Sequence, residues 1–189
     1  MVQAVYHMAI DPIVEFNSDP NSFGFRKYRS TQDAVTNLRS YMDKEYSPNW
    51  VLEADISKCF DKISHDFMIK HTPICDKGGV NPMIKMWSHG RGELSSYDRG
   101  NSARGGGIIS PMLCNVALNG MESIIKACGK IRKRIVPSIK VVRYADDVVI
   151  TGKSRTILQK CQKKLSEFLK IRGLEFNEQK PASHILRKV

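Results

Sequence analysis

The sequence predicts an α+β fold in which an antiparallel sheet packs against helices. Trp50 to Ile56 alternates, with Trp50, Leu52, Ala54 and Ile56 on one face and Val51, Glu53 and Asp55 on the other, as a half-buried strand does. Val141-Val142-Arg143-Tyr144-Ala145-Asp146-Asp147-Val148-Val149-Ile150 sets two β-branched runs around a polar break and reads as a hairpin bending near Ala145 to Asp147. The other strong signals are helical, so the order runs strand, helices, hairpin, helix, short strand.

Val5, Met8, Ala9, Ile13 and Val14 stand at helical spacing, which predicts a helix over residues 1–16 with that apolar face. The polar stretch Asn17 to Ser30 reads as a loop, and its Phe23-Gly24-Phe25-Arg26 segment sets two aromatics beside a cation. Such a loop stacks on nucleic acid or is anchored by buried phenylalanines. Ser30 or Thr31 then caps a helix with Ala34, Val35, Leu38 and Met42 inward. After the Trp50 strand, Ser64 caps a short helix containing Phe67, Met68 and Ile69, and Asn81-Pro82 opens another that Gly90 stops. Six glycines between Gly90 and Gly107 mark a flexible connection. Ser110-Pro111 opens the clearest helix, Ser as cap and Pro first, with Leu113, Val116, Ala117, Met121, Ile124 and Ile125 on one face. Residues 126–140 are strongly basic and lead into the hairpin. Ser154 starts a long helix through Ile157, Leu158, Cys161, Leu165, Phe168 and Leu169 that Gly173 ends, and Leu174-Glu175-Phe176 is a brief strand.

The 189 residues carry 30 basic and 19 acidic side chains, a net charge of +11 that favours a polyanionic partner. No apolar run is long enough for a transmembrane helix, so no membrane partner is expected, and Asp11 and Glu15 interrupt any secretory pattern. Five cysteines without a C-x-x-C pair argue against a structural zinc or disulfide framework and for a reducing compartment.

Two adjacent carboxylates at a hairpin tip repel each other unless a cation sits nearby. With Asp55, the sheet could gather three carboxylates at one edge, a set suited to two Mg²⁺ ions that take their other ligands from substrate phosphate. Two such ions about 4 Å apart support an in-line displacement at phosphorus. The chemistry implied is phosphoryl or nucleotidyl transfer on a polyanion.

At this point the sequence resembles the reverse transcriptases of the group II intron maturase type. Pro20-Asn21-Ser22-Phe23-Gly24-Phe25-Arg26 with Arg29-Ser30 is similar to that family's finger block. Leu52-Glu53-Ala54-Asp55-Ile56-Ser57-Lys58-Cys59-Phe60-Asp61 resembles its first catalytic block. Gly106-Gly107-Ile108-Ile109-Ser110-Pro111-Met112-Leu113-Cys114-Asn115 resembles its template-and-nucleotide helix block. Tyr144-Ala145-Asp146-Asp147 is its signature turn, and Gly173 to Lys180 resembles the next palm block.

The resemblance implies a polymerase palm with residual fingers: residues 1–49 as fingers and 50–189 as palm, incomplete at its C-terminus and without the thumb. It implies an RNA-directed DNA polymerase adding deoxynucleotides to a primer 3′ end with two Mg²⁺ ions held by Asp55 and Asp146. Asp147 is the neighbouring acid and Lys180 approaches the departing pyrophosphate. Phe60, Ile56, Gly106 and Gly107 contact the nucleotide, with the Phe60 ring excluding a 2′-hydroxyl. Phe25, Arg26, Arg29, Ser110, Pro111 and Tyr144 contact nucleic acid. The implied partners are an RNA template or intron RNA, a DNA primer, deoxynucleoside triphosphates and a thumb or maturase segment supplied in trans, in an organelle or a bacterial cytoplasm. Arg104-Gly105 stands where the family usually has Pro-Gln. A non-catalytic RNA-binding splicing factor and an inactive remnant or split piece are the alternatives.

Overall fold

The computed structural model describes residues 2–43, 50–57, 59–72, 108–131, 134–135, 139–177 and 186–188. Strand β1 (Trp50–Ser57) lies inside an antiparallel sheet. The hairpin strands β4 (Lys140–Tyr144) and β5 (Asp147–Gly152) join it through β5, with Leu52 opposite Ile150 and Ala54 opposite Val148. On β1's other edge, β6 (Glu175–Phe176) pairs with Ile56 and Ser57, and β7 (Leu186–Lys188) pairs with Trp50 to Leu52. Strand β7 has no counterpart in the sequence reading. The basic stretch before the hairpin contains a two-residue ribbon, β2 (Lys130–Ile131) with β3 (Arg134–Ile135).

Opposed residues in an antiparallel pair share a face. Leu52, Ala54, Ile56, Val141, Val148 and Ile150 therefore form one buried apolar row, as the β1 alternation predicts. Helices α1 (Val2–Asn17), α4 (His65–His71), α5 (Ser110–Leu118), α6 (Met121–Cys128) and α7 (Arg155–Ile171) contribute to the same core. Helix α3 (Cys59–Lys62) adds Cys59 to it. A smaller cluster of Phe23, Ala34 and Val142, with Leu38 and Tyr41 against it, seats α2 (Thr31–Met42) on the β4 strand.

Helix ends follow the sequence in part. Ser30 caps α2 in a reciprocal capping box with Asp33, and Ser64 caps α4 through the Phe67 N–H. Helix α7 ends before Gly173, with the Leu174 N–H returning to the Leu169 carbonyl.

Other expectations are corrected. Val5, Met8 and Ile13 of α1 are exposed; Ile10 and Val14 are buried and Tyr6 packs beside them, an i, i+4 stripe one step around the helix. Val35 of α2 is exposed, and Tyr41 takes the packing role. Ser110 is not the cap but the first residue of α5, and the capping position falls to Ile109, which has no side-chain capping hydrogen bond. The single helix predicted from Ser110 is two, because Gly120 takes φ 85° and turns the chain between α5 and α6. The helix predicted from Asn81 and the glycine-rich connection to Gly107 lie outside the described residues.

Candidate active site

The pairing of β1 with β5 brings residues 92 positions apart in the chain face to face: Asp55 stands opposite Asp147, and Tyr144 stands opposite Asp147 on the other side. These three share the sheet face away from the main core. The turn is tied to β1 as well, since the Ile56 N–H donates to the Asp146 carbonyl at 3.2 Å. Asp55 is 8 % exposed, Asp146 half-buried and Asp147 exposed. Asn177, just after β6, holds Asp55 twice: its backbone N–H donates to the Asp55 carbonyl at 2.9 Å and its Nδ2 to Oδ2 at 2.7 Å. The donor set at this sheet end is carboxylate oxygen, the type that suits a hard divalent cation. Among the described residues, no three acidic, histidine or cysteine side chains converge on one point as metal ligands.

The turn is strained and braced. Ala145 takes φ 54°, a left-handed conformation that costs a non-glycine residue about 1–2 kcal/mol. Arg143 faces the helical core, as its position opposite Val148 requires, and is 3 % exposed. Its Nη1 donates to the Ala145 carbonyl at 2.9 Å and to Asn115 Oδ1 on α5 at 3.1 Å. Asn115 Nδ2 in turn donates to the Gly24 carbonyl at 3.0 Å. The loop before α2 closes the brace, with Phe23 N–H donating to the Arg143 carbonyl and Arg143 N–H to the Asn21 carbonyl, both at 2.9 Å. Burial pushes the Arg143 guanidinium below the usual arginine value, although arginine stays charged. Beside it, Cys59 and Cys114 lie buried with Sγ atoms 2.8 Å apart, and that contact followed by burial pushes the Cys59 thiol up.

The loop also rests on α6. Glu122, 4 % exposed, accepts from the Asn21 N–H and Nδ2, while Asp19 accepts from the Glu122 N–H. Burial raises the Asp19 carboxyl above its ordinary value. Arg26, expected on nucleic acid, is committed inward. Its side chain is 5 % exposed, pairs with Glu15 at 2.5 Å and donates to the Asp19 and Ser22 carbonyls. Arg29 is bound to the Pro20 and Ser22 carbonyls and stands over the Phe23 ring, leaving it partly exposed. Of the two loop phenylalanines, Phe23 is buried and anchors the loop, and Phe25 is exposed.

Ile56, expected on the nucleotide, has its side chain in the core, because it shares the inward face with Leu52 and Ala54; only its backbone reaches the turn. Ser110 is buried and Pro111 half-buried, while Tyr144 is partly exposed beside the acids. Phe60 lies on α3 but its side chain is outside the described atoms, as are Gly106, Gly107 and Lys180 altogether. Sequence reasoning missed Arg143, Asn115 and Asn177 as parts of the site. Arg143 had a signal: a cation on the inward phase of a β-branched strand needs a buried partner.

The family model described as reverse transcriptase (RNA-dependent DNA polymerase) matches residues 1–184. A putative COX1/OXI3 intron 1 protein of Saccharomyces cerevisiae is 30% identical over 95% of this chain and 27% of its own length. Protein YkfC of Escherichia coli is 27% identical over 91% of this chain and 54% of its own. The group II intron-encoded protein LtrA of Lactococcus lactis is 28% identical over 66% of this chain and 21% of its own. The chain thus spans about a quarter to a half of the first two relatives. Among solved structures, a telomerase from Candida albicans in complex with a telomeric RNA fragment superposes with a TM-score of 0.57 over 88% of this chain and 31% of that one, at 14% identity.

Proposed function

The chain belongs to the reverse transcriptase (RNA-dependent DNA polymerase) family, and from that membership we propose that it forms the catalytic part of a group II intron maturase that extends a DNA primer on an RNA template. The observation that carries this reading is the Asp55–Asp147 pairing, with Asp146 bonded through its carbonyl to Ile56 beside it.

In this reading Asp55 and Asp146 hold divalent magnesium and Asp147 lends further negative charge. Magnesium held by these carboxylates and by substrate phosphate would supply the Lewis acidity that in-line nucleotidyl transfer needs. Asn177 keeps Asp55 aimed, because a carboxylate oxygen fixed by an amide N–H loses rotational freedom. Tyr144 and Phe25 offer exposed rings to template or primer, and Arg29 a cation to phosphate. Phe60 bars the 2′-hydroxyl by volume, and Lys180 meets the departing pyrophosphate as acid or cation. Residues 1–49 serve as part of the fingers and 50–189 as palm, and a thumb acts with them in cis or in trans. Intron RNA is the natural template or splicing partner, in the compartment that houses such introns, an organelle or a bacterial cytoplasm.

Primer extension on an RNA template with Mg²⁺ tests the reading. Deoxynucleotide incorporation that disappears in Asp146→Ala supports it. RNA binding without any DNA product, unchanged by that substitution, supports a splicing factor instead.

A further inference from the structure

A buried cation stands next to the acidic turn and has no role in the reading above. Arg143 is 3 % exposed, and among the described residues it forms no direct ion pair; its guanidinium donates to an amide oxygen and a carbonyl, and the Asp19 carboxylate acts on it only from beyond contact. A buried ion pair is often no better than apolar residues of the same volume, and a buried cation whose direct hydrogen-bond partners are neutral oxygens is less favourable still. A methionine would fill most of the same space without desolvating a charge. What methionine cannot do is donate to the Ala145 carbonyl.

That bond lies at the one strained residue of the hairpin. Ala145 is left-handed, and the next residue is Asp146. The Ile56 N–H holds the Asp146 carbonyl from the β1 side, and Arg143 holds the Ala145 carbonyl from the α5 side. The direction in which the Asp146 side chain leaves the turn follows from these two clamps. Asn115 fixes the guanidinium and also reaches Gly24, so the loop carrying Phe25 shares the anchor.

We propose that Arg143, seated by Asn115, is a positioning residue that holds the left-handed Ala145 turn so that the Asp146 carboxylate is presented with Asp55 to a divalent cation. The proposal rests on the two-carboxylate reading and adds to it a residue that touches neither metal nor substrate. Its signature is a split between stability and metal affinity. A merely structural arginine would lose stability and leave the affinity of the folded protein unchanged. A positioning arginine can be replaced with little loss of stability while the site loosens.

The test is Mn²⁺ binding by the full chain, followed by electron paramagnetic resonance, together with thermal melting, in wild type, Arg143→Met, Arg143→Lys and Asp146→Asn. The expected result is an Arg143→Met protein that melts cooperatively and binds Mn²⁺ at least tenfold more weakly. Arg143→Lys, whose ammonium can meet both oxygens, should recover most of that loss. Wild-type affinity in folded Arg143→Met overturns the proposal. If that variant does not fold, Asn115→Ala replaces it: a threefold or greater loss of affinity is expected, and none overturns the proposal. Affinity lost in Asp146→Asn but kept in Arg143→Met sinks this inference alone. Affinity indifferent to Asp146→Asn removes the two-carboxylate reading and this inference with it.

Discussion

A Cβ on Gly24 would stand 2.2 Å from the backbone nitrogen of Ala145 and 2.8 Å from its Cα. The loop before α2 and the acidic turn therefore touch backbone to backbone, and only a residue without a side chain permits it. Gly24→Ala should cost about 1–3 kcal/mol, as overpacking does where neither neighbour can rotate away. Chemical denaturation reads the loss, and primer extension should fall further than stability does, because the displaced residue adjoins Asp146. A Gly24→Ala protein as stable as wild type would mean that the loop and turn separate freely.

Asn177→Ala removes the amide that holds Asp55 Oδ2 but leaves the backbone bond to the Asp55 carbonyl. A hydrogen bond to a charged group contributes about 1.5–3 kcal/mol when buried, and less where water can replace it. The variant should melt a few degrees lower and require more Mg²⁺ for half-maximal extension. Titrating Mg²⁺ in the extension assay measures the second effect; an unchanged requirement would remove Asn177 from the site.

The main core was legible in the sequence because its signal is periodic. The β1 alternation, the long α7 face and the bend at Ala145 stand where residue spacing placed them. The α1 face was misread because its apolar residues cover most of the helix, so spacing alone does not say which stripe turns inward. The acidic residues were legible and their supports were not. Asn115 and Asn177 look like any helix or turn asparagine until long-range pairing brings them to Arg143 and Asp55. Arg26 misled for the opposite reason: a loop arginine beside aromatics resembles a phosphate contact, and here Glu15 takes it.

Phe60→Val should let ribonucleotides in, if its ring occupies the volume of a 2′-hydroxyl. The expected change is a loss of deoxy-over-ribo selectivity of at least about 10–200-fold, the range for one methylene-sized group in a pocket. Competing dATP and ATP incorporation in single-nucleotide extension measures it. Unchanged selectivity would assign sugar discrimination elsewhere.

The Glu15–Arg26 pair predicts a pH effect. Its hydrogen bond to Arg26, chiefly, holds the Glu15 carboxyl below its ordinary value of 4.5. The lowered folded value means that the pair's contribution is present above the unfolded value and lost as pH falls through the folded one. Glu15→Gln should therefore melt below wild type at neutral pH, and the difference should close in acid below the ordinary carboxylate range, about pH 4. Asp19, raised by burial, has the opposite sign, but both proteins carry it and it cancels in the difference. A gap that persists undiminished at low pH would show that packing, not charge, separates the two.

Strand β1 is gripped by β5 along its length and by β6 and β7 at its two ends, whereas the turn bearing Asp146 closes a hairpin. Amides around Asp55 should then exchange with deuterium only through global opening, and those of residues 145 and 146 through local excursions. One half of the acid pair behaves as an anvil and the other as a hinged jaw, so a cation would be admitted and let go from the hairpin side.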